Sequence, residues 1–302
     1  MSSNRIIIIG AGLAGLSAAV ALSAAGEEVV LLEKEEAVGG KMRQQWIGDK
    51  GIDAGPTVLT MKWVFDQLFE KVGSSLEAEV GLTQAETLAR HAWSDAGTFD
   101  LFADEKRSEQ SVGDFFGARN AIGYKRFCKD AAAAFATLKD TYIAAPAPSP
   151  AKLAQRVGYA NAGQLIGLKP FHSLWRALND YFPDKRLRQL FGRYATYVGS
   201  SPYLAPATLM LIAHVEQAGV WFVNGGMHAL ARAMAKSAQN AGAEVRTGAS
   251  VAQIMTQRGR VSGVSLESGE VIEAGKVPLH ILFTTGYMSS RYAVRSKCSR
   301  IC

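Results

Sequence analysis

The chain has 302 residues, 48% of them hydrophobic and 20% charged, which is enough for two domains with full cores and excludes a disordered chain. Its formal charge of +6 leans on residues 277–302, which hold Arg291, Arg295, Lys297 and Arg300 and no acid; the remainder is near neutral and calls for no nucleic-acid partner. Cys128, Cys298 and Cys302 have neither paired spacing nor a histidine cluster, which argues against a disulfide framework or a metal site and fits a reducing compartment.

Arg5–Ile9 is an apolar, β-branched run, as expected of a strand buried on both faces of a parallel sheet. Gly10–Gly15 makes a tight turn. Leu13 to about Ala25 reads as an alanine-rich helix with Gly26 as its cap, and Val29–Leu32 as a second buried strand ending at Glu33. Met61–Val72 has a helical apolar face. Short alternating runs from about Leu82 to Leu101 suggest strands, and Ser111–Asp140 reads as helical, with an alanine-rich middle. Ala144–Pro150 is a linker-like segment. From about Ala151 to Val220 the chain is mostly helical and rich in aromatics. Asn224-Gly225-Gly226 turns into a helix over Met227–Asn240, followed by short strands at Glu244–Arg246, Val251–Met255, Arg260–Leu266 and Glu270–Ile272.

Two uncharged stretches, Ile6–Gly26 and Tyr194–Ala213, have the length of membrane spans. The first carries glycines at fixed spacing and no strong cleavage pattern; the second is broken by Pro202, Pro206 and Gly199. Neither a transmembrane helix nor an export signal is expected.

Gly10-Ala11-Gly12-Leu13-Ala14-Gly15 is a dinucleotide-binding fingerprint in its proper context of strand, helix and second strand with an acid at its end. Gly10 permits the sharp turn, Gly12 lets a pyrophosphate approach the backbone, and Gly15 lets the helix pack close. Leu13 and Ala14 open the helix whose free N–H groups face the phosphates. Glu33 is placed to accept from ribose hydroxyls. Lys34 follows, and then Val38-Gly39-Gly40-Lys41, where two glycines and a cation suit a second approach to the phosphates.

With Gly51-Ile52-Asp53-Ala54-Gly55-Pro56-Thr57, these residues resemble the glutathione-reductase-type flavoproteins, in the branch holding amine oxidases, protoporphyrinogen oxidase and carotenoid desaturases. The resemblance implies FAD as cofactor, with Gly40, Lys41, Gly55, Pro56 and Thr57 beside it and the backbone near Val251 at the adenine. For Asp53, a structural cap and a cofactor contact remain equally open. Asp53–Met61, Tyr194–Gly199 and Ser201-Pro202-Tyr203 are similar to the bacterial phytoene-desaturase-type family, and within it to the hydroxyneurosporene and methoxyneurosporene desaturases, over roughly residues 5–276.

That resemblance implies an α/β fold. A Rossmann-like FAD-binding domain comes in two parts, residues 1–80 and 221–276, around an inserted, mainly helical substrate domain at 81–220. It also implies desaturation of an acyclic hydroxy- or methoxycarotenoid, in the cytoplasm and peripheral to the inner membrane. Phe171, Trp175, Tyr181, Phe182, Phe191, Tyr194, Tyr197, Tyr203, Trp221 and Phe222 supply apolar surface suited to a polyene. No catalytic base is named; His172, His214 and His228 qualify by type only. Residues 277–302 depart from the family pattern and read as a truncated or frameshifted end. The expectation is a fold incomplete at its C-terminus, with weak or absent FAD retention and poor solubility. An amine-oxidase or protoporphyrinogen-oxidase relative and an inactive fragment are the alternative readings.

Overall fold

A computed structural model describes residues 4–94, 97–144, 149–158 and 162–277. The expectations for residues 278–302, and most of the linker at 144–150, lie outside the described residues. The chain forms two compact units. One comprises Met1–Thr83 and a return segment beginning at Trp221; the other is built on Gln84–Val220.

In the first unit, strand β1 (Ile6–Ile9), helix α1 (Leu13–Ala24) and strand β2 (Val29–Leu32) form a parallel βαβ element. The strand Glu244–Arg246 joins the far edge of β2, also parallel. On the other side of β1, the Ile7 N–H donates to the Lys276 carbonyl at 3.0 Å. The four consecutive isoleucines follow from this: alternate side chains point to opposite faces, and both faces are covered. Ile6 and Ile8 pack with Val29 and Leu31 against α1 and the helix Met227–Asn240. Ile7, Val30 and Leu32 pack against Ala249, Val264, Leu266 and Ile272. That second cover is a three-stranded antiparallel sheet of Val251–Gln257, Arg260–Leu266 and Val271–Glu273. A separate hairpin, Gln44–Ile47 with Lys50–Asp53, leaves Trp46, Ile47 and Ile52 largely exposed.

The second unit is mainly helical, with a hairpin of Thr87–Trp93 and Gly97–Phe102. The helical stretch expected over Ser111–Asp140 comprises two helices, Glu105–Phe116 and Ala118–Leu138, divided at Gly117, whose φ of 88° no continuing helix allows. Their surroundings are aromatic: the rings of Phe127, Phe182 and Phe191 pack with centroids 4.7–5.4 Å apart, Phe182 stacked on Phe191 and edge-on to Phe127. This divides the aromatic set expected to offer substrate surface. Tyr181, Phe182, Phe191 and Tyr194 are core, because they bury one another, while Phe171, Tyr197, Tyr203 and Phe222 are exposed. Among the described residues no helix is long and apolar enough to cross a membrane.

Candidate dinucleotide site

β1 ends in a sharp turn at Gly10, with φ of 99°, a conformation open to glycine. The Gly10 N–H donates to the Leu32 carbonyl at 2.7 Å, so the turn hangs from the neighbouring strand. Helix α1 begins after Gly12, which is extended (φ −74°, ψ 178°) and offers no side-chain cap. The first-turn N–H groups, at Leu13 and Ala14 among others, are therefore left for an anion at the positive end of the helix dipole.

The two later glycines do opposite jobs. A methyl group built on Gly12 meets nothing within 4 Å, so a ligand can approach there. A methyl on Gly15 would overlap the Gly10 carbonyl oxygen and stand 3.1 Å from its carbon. Gly15 thus seats the helix on the loop, and Gly12 leaves the loop open.

Glu33 is buried at the end of β2. One carboxylate oxygen accepts from the Ala11 N–H at 2.7 Å and the other from the Glu35 N–H at 3.1 Å. The residue expected only to greet a ribose is also the latch of the glycine loop. An ionised carboxylate has about four acceptor directions, so capacity for hydroxyls remains.

Gly39 and Gly40 lie directly on this loop. The Gly39 N–H donates to the Ala11 carbonyl at 2.8 Å, and a methyl on Gly40 would come 3.0 Å from the Gly12 Cα. Gly55 in turn sits against Lys41, where an added methyl would overlap the carbonyl oxygen. Gly10, Gly12, Gly15, Gly40, Lys41 and Gly55 thus join through close backbone approaches, with Glu33 tied in by its carboxylate. Pro56 and Thr57 continue from Gly55 and are exposed. Lys34 points to solvent, 3.4 Å from Glu35. Val251 contributes its side chain to the sheet core, while the segment before it runs beside Glu33: the Ala249 N–H donates to the Glu33 carbonyl at 2.8 Å.

Asp53 makes the structural contact of its two readings, and its buried Oδ1 has no partner among the described residues. Its Oδ2 accepts from the Met227 N–H at 2.8 Å and caps the 14-residue helix Met227–Asn240. His228, in that helix, donates through Nδ1 to the Met42 carbonyl at 3.0 Å, which commits it to holding the Gly39–Met42 loop. The sequence carries no signal for this clasp, whose two sides lie 174 residues apart. Asp53→Ala is expected to lower stability by about 1–2 kcal/mol through loss of the cap, and Asp53→Asn to restore most of it. Urea-unfolding midpoints of the two variants decide this; equal midpoints would remove the capping role.

A parallel sheet with a glycine loop, an uncapped helix start and a carboxylate at the next strand end defines a dinucleotide-binding protein, and the open cradle at Gly12 fits a diphosphate. The chain belongs to the flavin containing amine oxidoreductase family, which matches residues 13–277. It is 43% identical over 278 residues to a hydroxyneurosporene desaturase of Rubrivivax gelatinosus, covering 92% of this chain and 53% of that one. To a hydroxyneurosporene desaturase of Cereibacter sphaeroides it is 42% identical, covering 92% and 55%. The chain spans about half the length of these curated relatives. Among solved structures, wild-type putrescine oxidase bound to putrescine superposes with a TM-score of 0.56 at 16% identity, over 91% of this chain and 57% of that one, which shows the shared fold. A flavin is the cofactor of this family.

Proposed function

We propose that this chain forms part of an FAD-dependent desaturase that introduces a C=C bond into an acyclic hydroxy- or methoxycarotenoid. The observation that carries the reading is the identity of 42–43% to two hydroxyneurosporene desaturases across both units, so that the helical unit and not only the glycine loop is matched. The FAD diphosphate would lie over Gly12 at the start of α1, with ribose hydroxyls at Glu33. When bound, FAD accepts two electrons from the substrate as a hydride.

This chain's residues bind and orient. The α1 N–H groups and the dipole neutralise the diphosphate, and the Glu33 latch keeps the loop in its receiving shape. The neighbouring substrate carbon must also give up a proton. His228 is committed to Met42, and burial holds His214 below its usual imidazole value, with Phe135 packed on its ring at 5.1 Å. We also place the protein in the cytoplasm, peripheral to the inner membrane; exposed Phe171 and Leu204, at 95% and 82%, support this by offering apolar contact to a bilayer surface.

The test titrates the purified chain with FAD and then adds hydroxyneurosporene without oxygen. With FAD supplied in excess, flavin bleaching and a red-shifted polyene spectrum are expected. Peroxide formed in air from a primary amine, with no change in the polyene, would move the assignment to an oxidase.

A further inference from the structure

The helical unit gathers buried polar groups at one point. Residues Arg193–Val198 form a 3-10 helix, in which side chains three apart stand on the same side. Tyr194 and Tyr197 therefore both face Glu216, on the helix Leu211–Gln217. Glu216 is 7% exposed. It accepts from two Arg193 nitrogens, Nη1 at 3.2 Å and Nη2 at 2.6 Å, and from the Tyr194 hydroxyl at 3.0 Å. Burial pushes its carboxyl up, and the Arg193 charge acts against that.

The cluster is not closed. The Tyr197 hydroxyl reaches Glu216 Oε1 only at 3.5 Å, the outer limit of a hydrogen bond. Tyr197 is 60% exposed and Val198 beside it 56%. Arg193 Nε and His91 Nδ1 are buried and find no partner among the described residues. His91 belongs to this surrounding: burial, and then the Arg193 charge, hold its imidazole below the usual value. A buried ion pair adds little net stability against an apolar replacement, so stability alone does not account for it. A carboxylate fixed from below, capped by one loosely held surface phenol and bordered by apolar surface, is built to take a polar group at the end of an apolar one.

We propose that Glu216, Arg193 and Tyr197 form a receiving site for the terminal hydroxyl of a long apolar chain. Tyr197 releases Glu216 and donates to the ligand oxygen, the ligand hydroxyl donates to Glu216 Oε1, and Arg193 keeps the carboxylate in place. This rests on the carotenoid reading above and narrows it: the site discriminates for the hydroxyl. A pocket that provides partners for a hydroxyl rejects the analogue lacking it, because its own buried groups are then left unpaired.

The experiment measures quenching of tryptophan emission as the full chain is titrated with hydroxyneurosporene and with neurosporene, the same chain without the hydroxyl. Wild-type protein is expected to prefer the hydroxylated polyene by on the order of tenfold, the equivalent of one hydrogen bond to a charged group. Tyr197→Phe and Glu216→Gln are expected to bring the two affinities within about twofold of each other, mainly by weakening the hydroxylated ligand. Because Tyr197 is exposed, its variant serves even where the Glu216 variant fails to fold. Equal affinities in the wild type, or a preference retained in Tyr197→Phe, overturns the site while leaving the carotenoid reading in place. Binding of neither polyene overturns both.

Discussion

Gly15→Ala is expected to destabilise the dinucleotide-binding unit by about 3 kcal/mol, a fall of roughly 6–12 °C in its melting transition. The added methyl would overlap the Gly10 carbonyl oxygen, with the Ile8 Cγ2 a further contact at 3.5 Å. The oxygen belongs to the backbone turn that follows β1 and Ile8 is a buried core residue, so no flexible side-chain end can yield. Either α1 lifts from the sheet or the loop opens, and in each case the contacts of Leu16, Ala19 and Val20 with the sheet are loosened. Alanine's advantage over glycine in a helix is at most about 1 kcal/mol, too small to offset this. Differential scanning calorimetry is the direct check, and an unchanged melting temperature would falsify the account of α1 as seated on the Gly10 turn.

Gly12→Ala should behave in the opposite way. At φ −74° and ψ 178° alanine is unstrained, and its methyl enters open space. Stability is expected to stay within about 0.5 kcal/mol of the parent. FAD affinity should fall tenfold or more, about 1.4 kcal/mol, because the methyl stands where a diphosphate must approach the backbone. Isothermal titration beside thermal melting separates the two effects. The pair of variants places folding and ligand capture on glycines three positions apart, and a Gly12→Ala protein that binds FAD as the parent does would remove the phosphate site from this turn.

The βαβ element was legible because its signals are local. Ile6–Ile9, Val29–Leu32 and the alanine-rich helix between them are each fixed by neighbours a few residues away, and so is the helix over Met227–Asn240. The site glycines were legible for the same reason. What joins them was not. The Asp53 cap on Met227 and the His228 bond to Met42 depend on which distant segments meet, and no spacing in the sequence encodes that. Glu33 was half legible: its place at the strand end was evident, but its bond to the Ala11 N–H needs the loop's actual path. The break at Gly117 could have been read from the glycine after Phe115 and Phe116, yet apolar periodicity on both sides masks it. Among the aromatics, pattern alone cannot tell a ring that packs on Phe127 from one that faces outward, such as Phe171.

The pairing of Leu32 with Arg246 has a consequence for how the chain is made. A ribosome adding 5–20 residues per second takes on the order of 10–40 s to deliver the second strand after the first. Through that interval Val29–Leu32 presents a bare apolar edge, the kind of template on which nascent chains aggregate. The helical unit, rich in local contacts, can fold during the same wait. Yield should therefore respond to translation speed and chaperone supply more steeply than the finished protein's stability would suggest.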